Sequence, residues 1–300
     1  MELWLSNESI PNNNRRWVVP SLIKCQSNGL FYFLFEGKSW RAMKYIEPSF
    51  SISSVKDLRY AYEVGYGLAK FHQIFLNYDS SKLKISIDNF HDTKYYLEQY
   101  YLSYDRFNFS GIKNKALLQR VQKINGNIRR NSERIINTFN SLNDNTLSKQ
   151  LIHGDPKIDN FLFDYNKSVV SLIDLDTISS GNILTDLSDC LRSICNPLGE
   201  CAQTFDDVIF DMNICRHFLL GYFVRSNKKF ESISIFLFEA IYLIIYELVI
   251  RFTTDFLKSN VYFKVNYPSH NIYRAEVQLK ILESLLSQRK EFRSLLYEII

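Results

Sequence analysis

The chain has 300 residues, 46% hydrophobic and 23% charged, which gives a sizeable core in one or two domains and argues against disorder over most of its length. Its 36 basic and 32 acidic side chains leave a net charge of +4, too small a balance to argue for a nucleic-acid partner. The opening MELWLSNESIPNNNRRW lacks a secretion signal, and the most apolar stretch, Ile235 to Ile250, contains Glu239 and Glu247 and is shorter than the ~20 residues of a membrane span, so no membrane partner is expected.

In chain order, Val18–Lys24, Leu30–Phe35 and Trp40–Ile46 are apolar or aromatic runs that predict a β meander. Ser27-Asn28-Gly29 and Glu36-Gly37-Lys38 supply its turns. Helical periodicity follows. Val55, Leu58, Ala61, Tyr62, Leu68, Phe71, His72 and Phe75 recur every three or four residues behind a predicted cap at Ser54, and His72 falls on the core face. Asp92 is placed to cap a second helix through Phe107, and Leu117, Val121, Ile124, Ile128, Ile135, Phe139 and Leu142 stripe a long third one. Leu151-Ile152, Phe161-Leu162-Phe163 and Val169 to Leu175 predict three short strands with polar loops between them. After Asp186 the pattern is helical almost to the end, broken at Asn196-Pro197 and Tyr267-Pro268, with Ile235–Ile250 as a core helix. Cys25, Cys190, Cys195, Cys201 and Cys215 are odd in number, form no C-x-x-C pair and lack zinc spacing. They read as buried free thiols in a reducing cytosol, so the expected location is cytoplasmic.

The polar loop carries the chemistry. His153-Gly154-Asp155-Pro156-Lys157-Ile158-Asp159-Asn160 lies between two of the predicted strands, and Ile173-Asp174-Leu175-Asp176 ends the next. Phosphoryl transfer from ATP needs a carboxylate to orient and deprotonate the attacking hydroxyl, oxygen ligands for a divalent metal, and a cation near the moving phosphoryl group. Asp155 is the candidate base, Lys157 the cation, and Asn160 with Asp174 the Mg2+ ligands. His153 reads as a brace for the loop. Asp176 is either a second metal ligand or a solvated carboxylate.

These residues resemble the catalytic loop H-x-D-x-K-x-x-N of protein kinases and its metal-binding Asp, and also the H-G-D-x-x-x-x-N…I-D pattern of aminoglycoside phosphotransferases and choline kinases. Thr185-Asp186-Leu187-Ser188-Asp189-Cys190-Leu191-Arg192 fits the same family, which implies that Asp186 bonds the catalytic-loop backbone. The sequence is most similar to the N-acetylhexosamine 1-kinase type. That resemblance rests on Trp40-Arg41, Tyr45-Ile46-Glu47, Phe90-His91-Asp92-Thr93, Ile173–Thr177, Arg251–Asp255 and Val261–Lys264, and it covers about residues 17 to 285. It implies that Tyr45 to Glu47 contact adenine and that Arg251 and Tyr262 hold an amino sugar. Against those roles, Arg251 could simply pair with Glu247 one turn away, and His91-Asp92 reads as a helix cap.

The fold implied is α+β and protein-kinase-like. A reduced antiparallel β N-lobe and hinge, residues 1–47, would sit on a mainly helical C-lobe, residues 48–300. The reaction implied is ATP- and Mg-dependent phosphorylation of a small-molecule hydroxyl, with an aminoglycoside, choline or an amino acid as other acceptors. Residues before Val18 contain neither glycine nor lysine, so the Gly-rich hairpin and lysine strand of such kinases have no counterpart. A truncated N-lobe is expected, and with it a slow or inactive catalyst or a non-catalytic binding protein. A metal hydrolase on His153, Asp155 and Asp174 would need a further ligand, and the sequence offers no clear one.

Overall fold

The computed structural model describes residues 15–80, 83, 87–144, 149–200, 202, 204–224 and 230–299. Residues 1–14 and Cys201 therefore lie outside it. Cys190, Cys195 and Cys215 are buried free thiols, as expected, whereas Cys25 is free but only half-buried, in the exposed N-terminal region.

The first apolar runs form two separate antiparallel ribbons rather than a three-stranded meander. β1 (Leu22–Ile23) pairs with β4 (Ala42–Met43), and β2 (Phe33–Phe35) pairs with β3 (Lys38–Trp40). The second predicted turn is present: Glu36 and Gly37 both take positive φ, 49° and 71°, between paired Phe35 and Lys38, the twist a two-residue hairpin favours. The ribbons are short because neither face is covered among the described residues. Leu34, Phe35 and Trp40 are 71%, 57% and 51% exposed, so no packing selects longer pairing.

Backbone hydrogen bonds are among the contacts that tie this region to the rest. The Val18 amide donates to the Val170 carbonyl at 2.7 Å, and Phe50 and Phe163 exchange backbone hydrogen bonds of 2.9 and 3.0 Å.

Helix α1 (Leu58–Ile74) starts at Asp57, whose carboxylate accepts from the Arg59 amide and from Lys167 Nζ. Its cap is thus Asp57 and not Ser54. Asp57 bears a charge that a distant lysine completes, which local pattern does not show. Helix α2 (Thr93–Arg106) is capped by Asp92 as predicted, and α3 (Lys115–Asn143) buries Val121, Ile124, Ile128 and Ile135.

Next comes the β insertion, with β5 (Gln150–Ile152), β6 (Phe161–Phe163), β7 (Val169–Leu172) and β8 (Ser179–Gly181). β6 and β7 form one antiparallel pair, and β5 pairs with β8. β7 stops at Leu172, short of the predicted Leu175, because Asp174 turns into the left-handed region at φ 64° and ψ 58°.

Helices complete the chain: α4 (Ile183–Ile194), α5 (Met212–Phe223), α6 (Phe230–Leu257), α7 (His270–Ser287) and α8 (Arg289–Ile299). α6 is the core helix expected, buried almost continuously from Leu237 to Ile250 and packed by α2, α3, α4 and α7. No described helix is long and apolar enough to cross a membrane. The closest helix pair is α1 with α5, where Gly65 and Gly221 face the partner's backbone. A Cβ on either would come within 2.0 Å of Phe218 O or 1.9 Å of Tyr62 O.

Candidate active site

The catalytic loop leaves β5 at His153 and is held from below by one carboxylate. Asp186, in the first turn of α4 and fully buried, accepts from the His153 amide at 2.7 Å and the Gly154 amide at 2.8 Å. His72 Nε2 lies 2.8 Å from the same Oδ2 and joins α1 to this junction. Burial opposes the Asp186 charge, but His72 and the His153 amide outweigh it and keep the carboxyl below the usual aspartate range.

His153 braces the loop. Its Nε2 donates to the Ile173 carbonyl at 2.9 Å, so its Nδ1 is free to accept from the Asp155 amide at 3.3 Å. Thr177 Oγ1 donates to the His153 carbonyl, and a side chain on Gly154 (φ +85°) would strike Thr177 O. The loop and the Ile173–Thr177 segment are therefore one rigid unit, set by the β5–β8 and β6–β7 pairs.

On this unit the predicted residues converge. Lys157 Nζ donates to Asp155 Oδ2 at 2.7 Å. Partial burial works against the lysine charge, and the Asp155 carboxylate, with Asp174 and Glu200, outweighs it, so its pKa lies above the ordinary lysine value. Asn160 Nδ2 donates to the Asp155 carbonyl at 2.8 Å, and the Ile173 amide donates to the Asn160 carbonyl. That uses the donor side of the Asn160 amide and leaves Oδ1 without a hydrogen bond among the described residues. Asp174 is exposed, in a backbone conformation costly for a non-glycine residue, and its carboxylate has no partner among the described residues. Two free oxygens from Asn160 and Asp174 suit a hard cation that takes its other ligands from phosphate and water. No group of three or more His, Cys, Asp or Glu among the described residues could hold a metal. Asp176 pairs with Arg41, tying the Ile173–Thr177 segment to the N-terminal ribbons.

Arg251 and Tyr262 also come together. The Arg251 guanidinium packs 5.0–5.7 Å from the rings of Phe90, Tyr96, Tyr262 and Phe263 and lies 3.5 Å from Glu247 Oε1. The pair with Glu247 is present, and the guanidinium lies beside the Tyr262 ring. Burial pushes the Tyr96 hydroxyl up to about 12, with Arg251 opposing, so it stays protonated as a donor. Tyr45 is 78% exposed. The Glu47 carbonyl accepts from Arg16 Nη2 at 2.7 Å, and Pro48 O accepts from Nη1.

Sequence reasoning missed three participants. His91 is more than the neighbour of a cap: it contacts both Glu247 and the Gly154 carbonyl. Asp189 is buried and paired with Arg192 at 2.9 Å, and its Oδ2 has no hydrogen-bond partner among the described residues. Burial pushes its carboxyl up, against the pull of Arg192. Arg41 was quoted only for resemblance. For His91 and Asp189 the signal was present in Phe90–Thr93 and Thr185–Arg192, but nothing in it named the partners.

Comparison with known proteins identifies the family and the fold. A model of the phosphotransferase enzyme family matches residues 13–213. Among solved structures, the chain is similar to an aminoglycoside phosphotransferase from Alicyclobacillus acidocaldarius (TM-score 0.59, 17% identity, 91% of this chain and 77% of the other). It is also similar to an ethanolamine kinase from Plasmodium vivax (0.51, 14%, 88% and 69%) and to a choline/ethanolamine kinase family protein from Mesorhizobium loti (0.50, 13%, 94% and 78%). Those structures share the kinase-like α+β fold with this one. The chain belongs to the phosphotransferase enzyme family, and its chemistry is the transfer of a phosphoryl group to a hydroxyl.

Proposed function

We propose that the protein moves the γ-phosphoryl group of ATP to a hydroxyl of a small amino sugar, using the residues gathered on the β insertion. The observation that carries this reading is the arrangement of Asp155, Lys157, Asn160 and Asp174 on one rigid loop-and-strand unit. Asp155 orients the acceptor hydroxyl and takes its proton as the oxygen–phosphorus bond forms. Lys157 neutralises charge on the transferring group. Asn160 Oδ1 and the Asp174 carboxylate would hold Mg2+, which supplies positive charge at the phosphates when bound. Tyr45 to Glu47 form the adenine wall, at the boundary between an N-lobe of residues 1–47 and a C-lobe of 48–300.

Arg251 and Tyr262 support a sugar acceptor, since a guanidinium lodged among rings offers both donors and flat apolar surface. A second reading has one observation in its favour. The unpaired Asp189 Oδ2 is an acceptor that suits an ammonium group, and such acceptors include aminoglycosides, choline and ethanolamine.

A melting-temperature screen separates the two readings, because a ligand that binds the native state stabilises it. In the presence of Mg·ADP, N-acetylhexosamines should raise the midpoint. A rise with aminoglycosides or choline and none with amino sugars overturns the sugar acceptor.

A further inference from the structure

His91 stands immediately before α2 in a left-handed conformation, φ 61°, which costs a non-glycine residue energy unless its surroundings fix it. Two hydrogen bonds fix it. Nε2 lies 2.6 Å from the Gly154 carbonyl and Nδ1 lies 3.0 Å from Glu247 Oε1, and the ring is 13% exposed. A carbonyl oxygen only accepts, so Nε2 must carry a proton.

The other nitrogen follows from Glu247. Three donors meet this carboxylate, which is 1% exposed: His91, Thr93 Oγ1 at 2.9 Å on Oε2, and Arg251 Nη1 at 3.5 Å on Oε1. Burial opposes its charge, and His91 and Arg251 outweigh that and hold its carboxyl below the ordinary glutamate range. An ionised carboxylate also only accepts, so Nδ1 is protonated too.

We propose that His91 is a positively charged positioning residue, an imidazolium that ties the acceptor wall on α6 to the peptide carrying Asp155. The charged groups around it are Glu247 and Arg251 from α6 and Asp189 from α4. Burial lowers the histidine pKa, and Glu247, the Gly154 carbonyl and Asp189 outweigh it, leaving it above the usual value. The Gly154–Asp155 peptide is then held at both ends, its carbonyl by His91 and its N–H by His153 Nδ1. Glu247 is the hinge of the device, because Arg251, the residue assigned to the acceptor, bonds the same oxygen as His91. Acceptor binding at Arg251 thus bears directly on where Asp155 stands. The positioning role rests on the phosphotransfer reading above; the charge state does not.

The test is NMR of the full chain with 15N-labelled histidine, followed by kinetics. At pH 7 one imidazole should show both nitrogens protonated, and its signals should vanish in His91→Gln. In Glu247→Gln the same histidine should lose proton affinity by at least about tenfold. If His91→Gln does not fold, the titration moved by Glu247→Gln identifies the resonance. In kinetics, His91→Gln, which keeps a donor but no charge, should lower acceptor-dependent kcat by about 10²-fold. KM for Mg·ATP should stay within about twofold, and the alkaline limb of the wild-type pH profile should disappear. A neutral single tautomer at His91 at pH 7 overturns the proposal. So does an alkaline limb that survives His91→Gln. The spectra need no turnover, so failure of the phosphotransfer reading and failure of the imidazolium are told apart.

Discussion

His72 Nε2 lies 2.8 Å from Asp186 Oδ2, and through that contact helix α1 holds the carboxylate that in turn holds the catalytic loop. Every group around Asp186 is buried, so removing the carboxylate leaves two amides and an imidazole unsatisfied. Asp186→Ala should cost about 3–5 kcal/mol of stability, as breaking a buried pair does. Urea unfolding of the two proteins measures it. A loss below about 1 kcal/mol would show that the loop is held by other means.

The pH dependence of stability has two limbs of opposite sign. Asp186 and Glu247 have carboxyls held below their ordinary values, so their stabilisation is present above the unfolded pKa and lost as pH falls through the folded one. His91 is raised, so its contribution is full below about 6.5 and is lost as pH rises through its folded value. Melting midpoints should therefore fall below about pH 5 and again on the alkaline side of neutrality. Glu247→Gln should flatten both limbs, and Asp186→Asn the acid limb alone.

The α1–α5 contact has no room for a methyl group. Gly65→Ala places a Cβ 2.0 Å from Phe218 O, and backbone cannot step aside as a side chain can. The helices must separate, at a cost of about 3 kcal/mol. A variant with wild-type stability would mean that the helices pack less closely than described.

Metal binding is tested at Asp174, whose exposed carboxylate supports nothing structural. Asp174→Ala should leave the free protein folded with a melting midpoint close to that of the wild type, because the carboxylate makes no hydrogen bond or ion pair among the described residues. Calorimetry should show the Mg2+-dependent part of ATP binding lost. Unchanged Mg·ATP affinity in the folded variant removes Asp174 from the metal site.

Much of this was legible in the sequence because its signals are local. The spacing from His153 to Asn160 and on to Asp174 marked the loop and strand of the candidate site, periodicity marked α1 and α3, the Asp92 cap marked α2, and a continuous apolar stretch marked the core helix α6. Other features depend on residues far apart. His91 acquires its partners from Glu247, 156 positions on, and Gly154, and Arg41 meets Asp176 across 135 positions. β8 is Ser-Ser-Gly, which carries no apolar alternation, and it is a strand only because β5 pairs with it. The N-terminal strands came out shorter than their apolar runs for the opposite reason: the side chains have the right character, but they stay exposed, with no covering layer among the described residues.

In the proposed reaction Asp155 delivers a small-molecule hydroxyl to the γ-phosphorus of ATP. The direct measurement is transfer of labelled γ-phosphate to an acceptor under single-turnover conditions, sensitive enough for a slow enzyme, in the wild type and in Asp155→Asn. The account predicts acceptor-dependent transfer that falls by about 10²–10⁴-fold in the variant, with Mg·ATP affinity within about threefold, since Asp155 is not assigned to the metal. Transfer that survives Asp155→Asn, or no transfer by the wild type to any of the amino sugar, aminoglycoside and amino-alcohol acceptors, would contradict it.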